Sequence, residues 1–248
     1  MADGILTTFS RHEIKYVVTD EQADAFLKAL GDRVVIDRYC VGGKRYRINT
    51  VYYDTPNFLY ARRSKQPDSK KYKEKIRIRS YDLPKQGEDS TVFPEFKKKV
   101  NGYCFKRRIY APLNEARALF SGEMKPERDG SAEKQIAYEL SQFVRLTPVV
   151  PAAYVKYKRM AFFDAYDSDI RFTLDNEIFA DCGGDIDILR DTCRTRILPE
   201  GLNVLEIKVL YSMPYYAAEA LAKCGIYRGH FSKYTQAYKM YTEGKIIK

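Results

Sequence analysis

The chain has no tryptophan, only two histidines in 248 residues, and no apolar run approaching the roughly 18 residues of a membrane helix. With His12 and His230 alone, a histidine-built metal centre or a Ser-His-Asp triad has little to work with. No glycine-flanked serine elbow supplies a nucleophile either. The five cysteines, Cys40, Cys104, Cys182, Cys193 and Cys224, are odd in number and widely spaced, which fits neither a disulfide framework nor a zinc signature. They read as reduced thiols, most of them buried. The start Met1-Ala2-Asp3-Gly4 lacks the apolar stretch of a secretory signal, so a cytoplasmic protein with no membrane span is expected. There is no internal repeat, low-complexity stretch or obvious linker, and a single domain over residues 1–248, with its core at about 9–241, is expected.

What the chain does have is charge arranged in rows. Lys and Arg number 43 against 33 Asp and Glu, a net +10 that predicts an anionic partner without naming it. Five segments alternate charged with aliphatic or aromatic residues: Glu13-Ile14-Lys15-Tyr16, Lys75-Ile76-Arg77-Ile78-Arg79, Glu95-Phe96-Lys97-Lys98-Lys99, Ile170-Arg171-Phe172-Thr173-Leu174-Asp175 and Leu205-Glu206-Ile207-Lys208-Val209. Strand side chains alternate faces, so Lys75, Arg77 and Arg79 share one face while Ile76 and Ile78 share the other. A basic face on one ordinary half-exposed sheet would be unremarkable. Five such faces, rich in Arg and Lys with a carboxylate in four of them, are better explained by strands that close round a charged lumen. Lys98 falls on the opposite face from Lys97 and reads as surface charge.

About eight strands are expected, at residues 13–16, 45–53, 75–79, 95–99, 103–110, 149–163, 170–179 and 202–210, with Asn101-Gly102 as a hairpin turn. Thr19-Asp20 caps a helix over 21–30, Asn114 one ending at Gly122, and Ser131 one reaching Leu146. Ser212-Met213-Pro214 opens a fourth, and residues 232–241 form a last one with Tyr234, Tyr238 and Tyr241 on a core-facing stripe. Residues 64–73 and 83–90 read as loops, the first of them basic. The fold class is α+β: an eight-stranded antiparallel β-barrel with flanking helices. Arg and Lys neutralise phosphate oxygens and carboxylates hold hard cations, so a basic lumen with a few carboxylates suits a polyanionic phosphate bound with Mg²⁺ or Mn²⁺.

The ordered set Arg11-His12-Glu13-Ile14-Lys15-Tyr16, Val51-Tyr52-Tyr53-Asp54-Thr55, Ile76-Arg77-Ile78-Arg79, Glu95-Phe96-Lys97, Lys158-Arg159-Met160-Ala161-Phe162, Arg171-Phe172-Thr173-Leu174-Asp175, Leu205-Glu206-Ile207-Lys208 and Phe231-Ser232-Lys233-Tyr234 resembles the VTC domain. That domain is the catalytic unit of polyphosphate polymerases, in the triphosphate tunnel metalloenzyme (CYTH-like) superfamily. The resemblance implies a tunnel in which the ATP γ-phosphate passes to a growing polyphosphate chain with Mn²⁺ or Mg²⁺. It implies that Lys15, Arg77, Arg79, Lys97, Arg159 and Arg171 hold phosphates, with Lys106 a further candidate. Lys233 would close over the substrate, and Glu206 would bind the metal. Glu13 and Glu95 are weaker metal candidates because each precedes a lysine by two residues, and Asp175 is another. One departure is Tyr154-Val155-Lys156-Tyr157 before Arg159, which lacks an arginine found in some relatives. The implied partners are ATP, triphosphate and polyphosphate. A triphosphatase of the same fold and a non-catalytic binder of polyphosphate or nucleic acid are the alternatives, and no nucleic-acid motif supports the last.

Overall fold

In the computed structural model the charged-and-apolar rows become strands of one antiparallel sheet. The structure describes residues 8–66, 71–81, 83–84, 90–126 and 131–246. The chain start at 1–4, residues 67–70 of the basic loop and most of the loop at 83–90 lie outside the described residues.

The strands are β1 (Thr8–Thr19), β2 (Val34–Ile36), β3 (Tyr46–Asp54), β4 (Tyr72–Ser80), β5 (Thr91–Val100), β6 (Tyr103–Arg108), β7 (Ala111–Pro112), β8 (Val150–Asp164), β9 (Arg171–Cys182), β10 (Thr195–Arg196) and β11 (Leu202–Val209). The sheet order is β10-β9-β11-β1-β6-β5-β4-β3-β8-β2, with β7 on β5 and a further pairing of β8 with β9. That pairing cross-links the path, so β1, β3, β4, β5, β6, β8, β9 and β11 each have a hydrogen-bonded neighbour on both sides. The expected plain eight-stranded barrel is corrected accordingly. The sheet has eleven strands, and its path has free ends at β10 and β2. The three extra strands are pieces of two or three residues, too short to carry an alternation that a sequence could reveal. The Asn101-Gly102 turn stands as expected: both residues have positive φ, 49° and 93°, joining Val100 to Tyr103.

The helices are α1 (Asp20–Leu30), α2 (Leu59–Arg63), α3 (Leu113–Ser121), α4 (Ala132–Leu146), α5 (Tyr215–Lys223) and α6 (Lys233–Thr242). Thr19 caps α1 through a capping box with Gln22, and the Ser131 side chain caps α4. The α3 cap moves from Asn114 to Pro112, because β7 runs directly into the helix and leaves Asn114 inside its first turn. The short α2 is a helix that the sequence pattern did not announce. The Asp54 carboxylate builds it, accepting the backbone N–H groups of Tyr60 and Ala61 at 2.9 Å and the Tyr234 hydroxyl at 2.5 Å.

The core has three parts, which follow from the two faces of the sheet. Outside, Val51, Tyr53, Ile76, Ile78 and Phe96 pack under α3 and α4. A second outer cluster joins Tyr16, Phe172, Leu174, Leu205 and Ile207 to α1 and α5. The third sets α6 against Ile48, Tyr52, Val155, Ile178 and Val204, with Tyr234 stacked on Tyr52 at 4.7 Å between ring centroids. Full burial of one such large apolar side chain is worth about 1.5–3 kcal/mol, so the apolar rows fix the register that turns the charged rows the other way. Among the described residues no helix is long and apolar enough to cross a membrane.

Candidate functional site

The charged rows meet in a cavity of about 600 Å³. All eight doubly paired strands contribute to its wall: Glu13 and Lys15 from β1, Tyr46 and Tyr52 from β3, Lys75, Arg77 and Arg79 from β4, Phe93 and Lys97 from β5, Cys104, Lys106 and Arg108 from β6, Tyr157 and Arg159 from β8, Arg171 from β9, and Glu206 and Lys208 from β11. Tyr39, Tyr81 and Lys233, the first residue of α6, complete it. Eleven Lys and Arg side chains thus face two glutamates across a few ångströms of space. Like charges brought this close repel, so the wall is stable only where anions stand beside the cations.

Four carboxylates do this, at two depths. On the wall, Glu206 accepts from Lys15 Nζ at 2.7 Å, with Lys208 at 3.3 Å, Lys233 at 3.8 Å and Arg159 at 3.9 Å. Glu13 accepts from Lys97 Nζ at 2.6 Å. Behind the wall, fully buried Glu95 takes Arg77 Nε at 2.6 Å and lies 2.5 Å from Lys106 Nζ. Asp175, also fully buried, is bidentate to Arg159 at 2.6 and 2.7 Å and accepts from Lys233 Nζ at 2.6 Å. Arg171 reaches outside the strands to Asp37 at 2.6 Å.

The electrostatics follow from this pairing. Burial pushes the Glu206 carboxyl up, but Lys15, Lys208 and Lys233 outweigh it and hold it well below the ordinary carboxylate range. Burial likewise opposes ionisation of Glu95, and Arg77 and Lys106 overcome it, again to well below that range. Asp175 is brought down to about 2 as Arg159 and Lys233 outweigh its burial. All three are therefore carboxylates at neutral pH. Arg79 is held by an aromatic neighbour: its guanidinium donates to the Tyr157 hydroxyl at 3.3 Å, and among the described residues its buried Nε has no hydrogen-bond partner. An arginine on a cavity wall with an unsatisfied N–H is a ready hydrogen-bond donor to an anion.

The structure brings Lys15, Arg77, Arg79, Lys97, Lys106, Arg159, Arg171, Lys233, Glu206 and Glu13 to one wall. Glu95 and Asp175, named as further metal candidates, instead sit behind the arginines and lysines that they orient. Lys75 and Lys208 had been placed on the charged face without a role, and Arg108 lies two residues beyond Lys106. The alternation carried the signal for all three. The aromatic lining, Tyr39, Tyr46, Tyr52, Tyr81, Phe93 and Tyr157, gave none, because an inward tyrosine and a core tyrosine look alike in sequence.

A divalent cation can be tested against these side chains. Among the described residues no group of three or more His, Cys, Asp or Glu forms a cage. Glu206 is nevertheless an ionised, hard-oxygen donor on the wall, with Glu13 as its nearest fellow there. Mg²⁺ is commonly held by one or two carboxylates together with substrate phosphates, and this donor set fits that mode.

An antiparallel sheet wrapped round a cation-lined cavity of about 600 Å³ is the architecture that the sequence resemblance implies. The chain belongs to the VTC domain family, whose model matches residues 10–242. Among solved structures it is similar to a candidate adenylate cyclase of Bacillus halodurans, at 13% identity and a TM-score of 0.48 over 92% of this chain and 96% of that one. A Pyrococcus horikoshii protein is 12% identical over 93% and 98% of the two chains, with a TM-score of 0.44. The Mimivirus capping enzyme triphosphatase is 7% identical over 87% and 88%, with a TM-score of 0.36. No curated protein matches the sequence.

Proposed function

We propose that this protein is an ATP-dependent polyphosphate polymerase, transferring the γ-phosphate of ATP to the end of a polyphosphate chain inside the cavity. The observation that carries the reading is the wall itself: ten cations and two carboxylates on the inner faces of seven strands, with Lys233 of α6 as an eleventh cation, in a chain of the VTC domain family. Phosphoryl transfer asks the protein for little covalent chemistry. It needs donor and acceptor held in line and the charge on the transferred group stabilised.

The residues divide that work. Arg77, Arg79, Arg159 and Arg171 hold phosphate oxygens through forked donors, and Lys15, Lys97, Lys106 and Lys233 supply point charges between them. Glu95 and Asp175 keep Arg77, Lys106, Arg159 and Lys233 in fixed positions before substrate arrives, which lowers the reorganisation needed in the transition state. Charge-assisted bonds inside the cavity are stronger than the same bonds in water. Lys233 enters from α6, whose Tyr234 is locked to Tyr52 and Asp54, so the helix delivers its lysine from a rigid support. Glu206, with Glu13 beside it, would hold Mn²⁺ or Mg²⁺ jointly with the substrate's phosphates. The bound metal would neutralise charge on the phosphate oxygens during transfer.

The test is incubation with ATP and Mn²⁺ followed by gel analysis of the products. A ladder of polyphosphate is expected. Free phosphate alone would assign water as acceptor and make the protein a triphosphatase, and unchanged ATP would leave a binding protein.

A further inference from the structure

From the cavity wall at Lys75 and Lys97, the charged face of β4 and β5 continues past the cavity toward the end of their hairpin as lysine alone. Lys75 pairs across the strands with Lys97, and Lys73 with Lys99, while Lys97 faces Lys106 on its other side. Like charges directly opposite each other destabilise an antiparallel pair, so two such pairs in succession are a standing cost to the sheet. On the cavity wall carboxylates answer much of this repulsion, and Glu13 takes Lys97 at 2.6 Å. Lys73, Lys75 and Lys99 have no such partner among the described residues: Lys75 Nζ donates to Ser232 Oγ at 2.9 Å and Lys73 Nζ to the Ser64 carbonyl at 3.3 Å, both neutral acceptors. The neighbouring Glu74 lies on the opposite face, where Tyr72 donates to it.

We propose that the Lys73–Lys99 and Lys75–Lys97 pairs form a track along which a linear polyphosphate chain extends out of the cavity, its phosphates supplying the counter-charge that Lys73, Lys75 and Lys99 lack. This rests on the polymerase reading for its direction of use, but as a binding site for a long polyanion it stands on the register alone. From Lys73 to Arg79 the row covers six residues, about 20 Å at 3.4 Å per residue. A triphosphate held at Arg77 and Arg79 is too short to reach Lys73, whereas a longer chain must pass it. The environment agrees: burial, then Lys15, Lys97, Arg77 and Lys73, drive the Lys75 ammonium well below its ordinary value, and burial with Lys99 does the same more weakly for Lys73. An anion laid between the strands relieves both. The Ser232 contact ties the track to the N-cap of α6, the helix that presents Lys233.

The experiment compares the full chain with the double variant Lys73→Gln/Lys99→Gln, outside the wall, and measures affinity for triphosphate and for long-chain polyphosphate by calorimetry at several salt concentrations. The variant is expected to bind triphosphate within about twofold of wild type and long chains on the order of tenfold more weakly, the scale of one or two lost charge-assisted bonds. Its salt dependence for long chains should also flatten, because fewer cations meet phosphate. Its melting temperature should stay level or rise, since repulsion is removed. Unchanged long-chain affinity, or an equal fall for triphosphate and long chain, would overturn the track. Single-stranded DNA bound as tightly as polyphosphate, with the same loss in the variant, would overturn it in favour of a nucleic-acid surface. A wild type that binds long chains on this track but makes no polymer would refute the polymerase reading and leave the track in place.

Discussion

Replacing Glu95 with glutamine removes one charge and no volume, and that change should be felt throughout the protein. The carboxylate is fully buried and holds Arg77 Nε at 2.6 Å and Lys106 Nζ at 2.5 Å, with Arg108 a further 3.9 Å contact. A unit-charge pair at about 4 Å is worth about 4 kcal/mol at an effective dielectric of 20, and removing one partner of a buried pair costs about 3–5 kcal/mol because the other is stranded. Glutamine keeps one acceptor oxygen and relieves part of that, so the lower end, about 3 kcal/mol, is the expected loss. At roughly 2–4 °C per kcal/mol for a domain of this size, the melting temperature should fall by about 6–12 °C. The assay is thermal and urea unfolding of wild type and Glu95→Gln, each with and without triphosphate. Saturating triphosphate should narrow the gap, since a bound phosphate gives Arg77 and Lys106 a second source of negative charge. Unfolding free energies within 1 kcal/mol of each other without ligand would refute the reasoning, because the cations would then not depend on Glu95.

Three further outcomes follow from the same wall. Arg79→Ala should weaken triphosphate binding on the order of tenfold or more while leaving stability near wild type, because among the described residues Arg79 has no carboxylate partner to strand; a variant that unfolds, or binds normally, counts against its role. Glu206→Gln should keep or tighten triphosphate binding but lose on the order of 10² in metal-dependent turnover, read from rates across a Mn²⁺ titration; near-normal rates at modest Mn²⁺ would move the metal to Glu13. Asp175 titrates near 2 folded against about 3.8 unfolded, so its contribution is complete above the unfolded value and is lost as pH falls through the folded one. Acid unfolding followed by circular dichroism should show that arm in wild type and lack it in Asp175→Asn, which should also be less stable at neutral pH; identical acid profiles would sink the assignment.

The sequence made the site's cations legible because strand geometry converts spacing into direction. Once Ile76 and Ile78 belong to a buried face, Lys75, Arg77 and Arg79 must share the other, and the same step holds for Glu206 and Lys208 against Leu205 and Ile207. What spacing cannot convey is depth. Glu13, Glu95, Asp175 and Glu206 all stand on inward rows, yet two reach the cavity and two end behind it. That division depends on which strand lies across: Glu95 faces Arg77 on one side and Arg108 on the other, and Asp175 faces Arg159, so long cationic side chains arch over both carboxylates. The short edge strands and α2 were equally hidden, because two to five residues hold no period and α2 depends on a carboxylate from β3 and a tyrosine from α6.

The same pairing accounts for how a wall so rich in positive charge folds before any phosphate is bound. Each buried carboxylate serves two cations, Glu95 taking Arg77 and Lys106, and Asp175 taking Arg159 and Lys233. The remaining excess faces the cavity, where water screens it and where, on the proposed function, a polyanion would displace that water. Neutralising the wall completely with more glutamates would stabilise the empty protein and repel its ligand. Removing the buried pair of carboxylates would do the reverse, leaving cations with affinity for phosphate but no fixed positions. The arrangement present, with anions behind and cations in front, keeps both fold and affinity. It follows that ligand-induced stabilisation should be larger in Glu95→Gln than in wild type, and a smaller triphosphate shift in that variant would show that Glu95 sets the geometry of the phosphate donors more than it neutralises them.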